Sequence, residues 1–261
     1  MENDILKMRR RQYLLFIAVI GVFVFLSARL TDFSFVKALL SIPRSVKWLA
    51  VNFIPDLKAL AKLPDILKKL FETVFVSIIA TILASFFSFF FAIMGARTTR
   101  LNRVFSVISR AVALFNRNIP VAAWAMIFLF SFGQSMFTGF LALFFVSFGF
   151  LTRVFIEAVD EASGCSVEAL RASGATYLQT IFQAVLPASI PQIVSWILFM
   201  IETNIRSATL VGILTGTGIG FMFNLYYRSM NYKTAGLIVV CVVAVVLLIE
   251  TISNYIRKVI L

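Results

Sequence analysis

The chain has 261 residues, of which 61% are hydrophobic and only 14% are charged, and its net charge is +12. Soluble domains are about 45–50% apolar and about 25% charged, so a soluble fold of this length could not bury so much apolar surface. The basic residues lie between long apolar runs, which favours contact with lipid headgroups over nucleic acid. With no His and only two Cys, no metal site, disulfide framework or cofactor is expected.

Five apolar stretches are long enough to cross a bilayer, which takes about 20 helical residues, and one of them is long enough to cross it twice. The sequence therefore predicts an all-α, polytopic membrane protein that forms a single transmembrane domain over residues 1–261. The apolar stretch from 111 to 152 is too long for one helix, and Ser131–Ser135 is its predicted break. The six predicted transmembrane helices are 13–30, 74–96, 111–132, 135–153, 190–213 and 235–256.

The segment 31–69 is not a predicted span. Its apolar residues recur at helical spacing, and Pro43, Pro55 and Pro64 are expected to break the helix. Two interpretations stay open for this amphipathic segment. It lies on the membrane surface, or it packs on the spans of its own chain.

A polar segment, 153–187, separates the fourth and fifth predicted spans. Ser166 can cap a short helix, and Gly174 can end it because Gly tolerates a positive φ. A second helix is predicted over 176–185, and Pro187 follows it, where a helix start or kink is expected. The sequence thus predicts a helix–turn–helix hairpin at the membrane surface, with an exposed tip.

The hairpin resembles the EAA loop of ABC importer permeases. That pattern has a Glu-Ala pair, a Gly six residues after the Glu, and a Leu-Pro pair further on. The matching residues are Glu168, Ala169, Gly174, Leu186 and Pro187. Leu170 stands where the family usually has a second Ala. The resemblance implies a coupling helix that docks on a separate ATPase subunit; the alternative is an ordinary surface hairpin.

Orientation follows from this resemblance rather than from charge. Lys and Arg are nearly balanced between the two sides of the predicted spans, so their distribution does not decide the topology. A coupling loop would be cytoplasmic, which implies a cytoplasmic 97–110 segment, an external 31–69 segment and two cytoplasmic termini. The expected location is the inner (cytoplasmic) membrane of a bacterium.

Further stretches are similar to the phosphonate importer permease family. They are residues 70–74, 116–120, 202–209 and 212–220. Thr217 departs from the family, which tends to have Gly there. The resemblance implies import of phosphonate or a related small oxyanion, with ATPase subunits, an extracytoplasmic binding protein and a second permease subunit, identical or related, as partners.

Five polar residues are candidates for a translocation path, because charged groups are costly in hydrocarbon and usually face a bundle interior or an aqueous route. They are Arg117, Asn118, Glu202, Asn204 and Arg206. Glu202 and Arg206 are four residues apart and share a helix face. The alternative is that they form a structural pair and that Arg117 extends to the membrane surface.

An ion-coupled secondary transporter is the main alternative function. Such proteins use carboxylates at the membrane midplane and often contain an inverted repeat. Only Glu202 and Glu250 lie in predicted spans, and no repeat is evident. The glycine run 212–220 lacks the Lys-Ser/Thr pair of a phosphate-binding loop, and its glycines are expected to allow close chain approach. The sequence predicts a transport subunit, not an enzyme, whose ATP is hydrolysed by a partner.

Overall fold

A computed structural model describes residues 2–100 and 102–260 of the chain. Within these two ranges the regular structure is helical, and the helices are joined by short connections. The helices are α1 (Glu2–Leu30), α2 (Phe35–Phe53), α3 (Leu57–Leu60), α4 (Leu63–Gly95), α5 (Arg103–Asn118), α6 (Val121–Phe132), α7 (Met136–Ala172), α8 (Tyr177–Thr180), α9 (Leu186–Thr215), α10 (Gly218–Arg228) and α11 (Tyr232–Ile260). The chain divides into two compact units, Met1–Asn52 and Phe53–Leu261, where the sequence predicts a single domain.

The first unit contains α1 and most of α2. The segment Arg9–Leu30 of α1 is long and apolar enough to cross a membrane. In α2 no side chain is buried, and its polar and apolar residues alternate at helical spacing. The break predicted at Pro43 is wrong, because α2 continues through it. Proline removes one backbone donor, and here that loss does not end the helix.

The second unit is built around α4, α7 and α9. Small residues on α4, among them Ala84, Ser88 and Ala92, are fully buried and let α7 approach closely. Leu151 and Phe155 of α7 fill the centre of this contact. Helix α4 begins eleven residues before the predicted span, with Pro64 in its first turn, where a missing N–H costs no hydrogen bond.

The third predicted span, 111–132, differs most from the structure. It is divided between α5 and α6, which meet at an angle of 91° around Ile119 and Pro120. Proline disfavours helical geometry in the residue before it, and Ile119 is extended. Within the described residues, five helices are each long and apolar enough to span a membrane, and the bent pair makes a sixth if it counts as one crossing.

The predicted break at Ser131–Ser135 is confirmed. Helix α6 ends at Phe132, and Gly133 follows with φ of 70°. Ser135 then caps α7 by accepting a hydrogen bond from the Thr138 N–H.

Helices α9 and α10 form a tight hairpin whose turn contains Gly216 and Gly218, both with positive φ. A Cβ placed on Gly220 would collide with the Thr209 carbonyl oxygen, and one on Gly212 would lie 2.5 Å from the Thr217 carbonyl oxygen. The close approach expected of these glycines is therefore confirmed.

Candidate functional site

The hairpin between α7 and α9 has a sharp turn at Gly174, whose φ of +83° confirms the predicted role of this glycine. Thr176 caps the following helix in a reciprocal capping box with Gln179. The predicted cap at Ser166 is wrong, because α7 runs without a break to Ala172. Its first half is packed against α4, and a helix already nucleated extends more readily than a new one starts.

The second limb of the hairpin also differs from the prediction. Instead of a separate helix over 176–185, the four-residue α8 leads into a π-helical turn, Ile181–Val185, and then directly into α9. In this turn the Leu186 N–H bonds the Ile181 carbonyl oxygen, five residues back. Pro187 is in the first turn of α9, so the chain passes it without breaking the helix.

Three contacts tie the hairpin to the connection between α4 and α5, two of them close to the turn and one further back on α7. Arg171 Nη2 donates to the Thr98 carbonyl oxygen at 2.8 Å, and Tyr177 Oη donates to the Thr99 carbonyl oxygen at 2.9 Å. Asp160 Oδ1 accepts bonds from the N–H and the hydroxyl of Thr98, at 3.0 and 3.1 Å. Three of these four hydrogen bonds involve a charged group, Arg171 or Asp160, and such bonds are stronger than neutral ones. Both limbs of the hairpin are therefore held against this connection.

The predicted coupling residues lie on the accessible side of this hairpin. Glu168, Ala169, Gly174 and Pro187 are exposed, and Leu186 is half-buried. Sequence reasoning missed two apolar residues on the second limb: Leu178 and Phe182 are each 64% exposed. They are four residues apart, and this spacing in a polar segment could have indicated an apolar contact face.

Asn204 is buried, with 1% exposure, and links three helices. Its amide nitrogen donates to Thr81 Oγ1 of α4 at 2.8 Å and to Ser147 Oγ of α7 at 2.6 Å. Ser77 Oγ lies 3.4 Å from the Asn204 carbonyl oxygen. The structure therefore places this predicted path residue in the packed centre, with its amide hydrogens satisfied.

Glu202 is buried and is held by two arginines. Arg206 Nη1 donates to Oε1 at 2.7 Å, as the spacing of these residues predicts. Sequence reasoning missed Arg257 of α11, whose Nη2 lies 3.7 Å from Oε2. Arg257 is 55 positions away along the chain, so no local pattern could identify it. Its Nε and Nη2 are buried without hydrogen-bond partners in the described part of the chain, so this ion pair is incompletely satisfied.

Arg117 and Asn118 lie at the end of α5, next to the 91° bend. Both are exposed, and the Asn118 amide donates to the Leu114 carbonyl oxygen of its own helix. The neighbouring Asn116 is instead buried, where Gly149 of α7 approaches it closely. Within residues 2–100 and 102–260, no three His, Cys, Asp or Glu residues are grouped so that they could hold a metal ion.

The packed apolar helices, the bent pair and the anchored polar hairpin define a multi-pass membrane protein of the permease class. The chain belongs to the family of binding-protein-dependent transport system inner membrane components, whose family model matches residues 88–260. It is therefore a membrane component of a binding-protein-dependent transport system.

Several named relatives belong to oxyanion transport systems. The phosphate-import permease protein PhnE of Mycolicibacterium smegmatis is 32% identical over 64% of this chain and 31% of the relative. The phosphite transport system permease protein PtxC of Stutzerimonas stutzeri is also 32% identical, over 64% of this chain and 61% of the relative. A putative cryptic phosphonate permease, PhnE2 of Escherichia coli, is 35% identical over 45% of this chain and 97% of its own. The aligned part of the chain thus spans less than two thirds of the first two relatives.

Solved structures share the fold at low identity. The inward-facing MetNI methionine ABC transporter aligns with a TM-score of 0.62 at 20% identity, covering 74% of this chain and 96% of the other. An amino acid ABC transporter aligns with a TM-score of 0.66 at 14% identity, covering 78% and 98%. At these identities the likeness concerns the fold alone.

Proposed function

We propose that this chain is the membrane-spanning subunit of an ABC importer for phosphonate or a related small oxyanion. A separate ATPase drives it, an extracytoplasmic protein delivers the substrate, and a second permease subunit, identical or related, completes the path. The observation that carries this proposal is the anchored hairpin with an exposed tip, in a chain that belongs to an importer family.

The hairpin is suited to transmit force. Its exposed surface presents the Glu168 carboxylate together with the apolar side chains of Leu178 and Phe182, a combination that suits a groove on another protein. Arg171 and Tyr177, on either side of the turn, tie the hairpin to the α4–α5 connection through Thr98 and Thr99. A displacement of the tip would therefore reach two transmembrane helices, α7 and α9, and a third through that connection.

The role of the hairpin can be tested at Gly174, whose positive φ disfavours any other residue. Gly174→Leu forces a branched side chain into a conformation that costs L-residues about 1–2 kcal/mol. We expect the chain to insert but to bind the ATPase weakly, which uncouples hydrolysis from transport. Gly133→Leu is a matched control, since Gly133 also has positive φ and open space around it, but lies at the opposite end of α7.

The readout is ATPase co-purification together with transport in proteoliposomes. Wild-type coupling in Gly174→Leu, or equal losses in both variants, would remove the hairpin from the ATPase contact. Loss in Gly174→Leu alone supports the assignment.

The substrate class rests on the named relatives and on positive charge in the apolar region. Arg117 and Arg206 are both exposed, so each can meet an anion at a subunit interface. Asn204 is instead committed to its two hydroxyl partners, and we infer that it holds the path together without lining it. Uptake of labelled phosphonate, phosphite and phosphate by the reconstituted importer, each competed by the others, would identify the substrate.

Ion-coupled transport is the second candidate, and Glu202 is the carboxylate that it would use. Glu202 is already paired with two arginines, Arg206 and Arg257, which argues against its use as the ion-coupling carboxylate. The two functions differ in their energy source, which is ATP for the importer and an ion gradient for the secondary transporter. Uptake that continues without ATP and stops when the ion gradient is dissipated would establish the secondary transporter.

A further inference from the structure

A cluster of arginines surrounds the start of α5. It lines an open pocket of about 380 Å³ between the α4–α5 connection and the first half of α5. The lining residues are Arg97, Arg100, Arg103, Ser106, Val107 and Arg110. Four of these six side chains are cationic and none is acidic, so the pocket concentrates positive charge.

Little of this charge is neutralised. Arg110 lies 3.7 Å from Asp160 and donates from Nε to the Gly95 carbonyl oxygen at 3.0 Å. In the described part of the chain, Arg97, Arg100 and Arg103 form no ion pair within 4.0 Å. Like charges gathered this closely repel one another, so the cluster is more stable when an anion is present.

A neighbouring pocket provides the contrast. It shares Arg97 and Arg110 with the first, adds Arg153, and sets these three arginines against three acidic residues, Glu157, Asp160 and Glu161. Its charges balance within the chain. The unbalanced positive charge is therefore that of Arg100 and Arg103, which line the first pocket and not the second.

An apolar surface adjoins the arginines. Val104, Phe105, Val107 and Ile108 of α5 are all exposed, and Val107 also lines the pocket. Free phosphate would gain nothing from this surface. A molecule with an anionic head and hydrocarbon chains would satisfy both parts of it, and arginine binds phosphate oxygens with two parallel hydrogen bonds.

We propose that this pocket binds the phosphodiester headgroup of an anionic phospholipid, whose acyl chains lie along the exposed apolar side of α5. The site goes beyond the transport function, because it requires only that the protein reside in a membrane. Thr98 and Thr99 belong to the same connection and hold the hairpin through Arg171 and Tyr177. A bound lipid would therefore also steady the element that anchors the hairpin.

The experiment measures binding of phosphatidylglycerol, with phosphatidylcholine as the neutral reference, to the full-length chain in detergent by native mass spectrometry. The test variant is Arg100→Gln with Arg103→Gln. Each arginine near an anionic headgroup contributes about fivefold in affinity, so we expect roughly a 25-fold loss. The control, Lys58→Gln with Arg228→Gln, removes the same charge from exposed positions outside the pocket and should bind like the wild type.

A second variant keeps the test decisive if the first does not fold. Arg100→Lys with Arg103→Lys preserves charge and should retain most of the binding, while phosphatidylglycerol raises its Tm as it does that of the wild type. Equal binding by the glutamine variant and its control would overturn the proposal.

Two further outcomes would also overturn it. If inorganic phosphate displaces the lipid at concentrations comparable to the lipid's own, the site is for a free anion. If the glutamine variant binds phosphatidylglycerol normally but no longer retains the ATPase subunit, the arginines are a protein contact.

Discussion

In the second unit, single buried polar residues help to fix how the helices pack against one another. Asn204 donates to two hydroxyl groups on different helices, and those hydroxyls donate in turn to backbone carbonyl oxygens of their own helices. Buried polar networks of this kind fix the register of packed helices when every member has a partner. The network therefore aligns α9 with α4 and α7.

We expect Asn204→Leu to destabilise the protein by about 1–2 kcal/mol, since interhelical hydrogen bonds in membranes contribute about 0.6–1.7 kcal/mol each. Thermal unfolding in detergent measures the change. Asn118→Leu is the control, because Asn118 is exposed and bonds only its own helix among the described residues. If both variants unfold at the wild-type temperature, Asn204 does not hold the helices together.

Because two arginines contact Glu202, variants of each can distinguish a role in stability from a role in transport. Arg206 is 47% exposed, whereas Arg257 is 25% exposed and partly unsatisfied. With either one removed, the other still neutralises the carboxylate, so Arg206→Gln and Arg257→Gln should each fold. Glu202→Gln leaves both cations without their partner and should cost about 1–3 kcal/mol, less than for a fully buried pair.

If Arg206 lines the path, Arg206→Gln lowers oxyanion uptake while its Tm stays unchanged. Arg257→Gln should lower uptake only in proportion to any loss of stability, seen as a fall in its Tm. The double change Glu202→Gln with Arg206→Gln completes the comparison. Normal uptake in that variant would make the pair purely structural and remove Arg206 from the path.

At the scale of elements, glycines decide how closely helices pack. Gly220 allows α10 to lie against the Thr209 backbone, and Gly139 of α7 faces Val211 and Thr215 with more room. The first contact leaves no space for a methyl group, whereas a Cβ on Gly139 would lie 3.5 Å or more from its neighbours.

Gly220→Ala should therefore separate α9 from α10 and destabilise the fold by about 1–3 kcal/mol, the usual cost of overpacking. Gly139→Ala should be neutral, because it adds only an ordinary van der Waals contact. Unfolding temperatures of the two purified variants decide the point, and equal values would contradict the close packing.

At the scale of the whole molecule, the hairpin fixes a proposed topology. A cytoplasmic hairpin requires an external α2, because three crossings separate the two in the chain: α4, the bent pair α5–α6 counted as one, and the first part of α7. Cysteine introduced at Ala172 should react only from the cytoplasmic side, and cysteine at Ala50 only from outside. Both positions are exposed, and Cys165→Ala removes the native exposed thiol near the hairpin. Reaction of Ala172→Cys with an external reagent would invert the topology.

Local features of the sequence determined the helical, membrane-spanning class, the break before Ser135, and the turn at Gly174 with its resemblance to an importer coupling loop. Apolar run length, glycine at positive φ and capping residues act over a few neighbouring positions, so they are visible in one dimension. Tertiary structure alone decided the rest. Packing against α4 carried α7 through the predicted cap at Ser166, the meeting of α9 with α11 brought Arg257 to Glu202, and the folded connection gathered the arginines around α5. These outcomes depend on contacts between helices far apart in the chain, whose register no local pattern specifies.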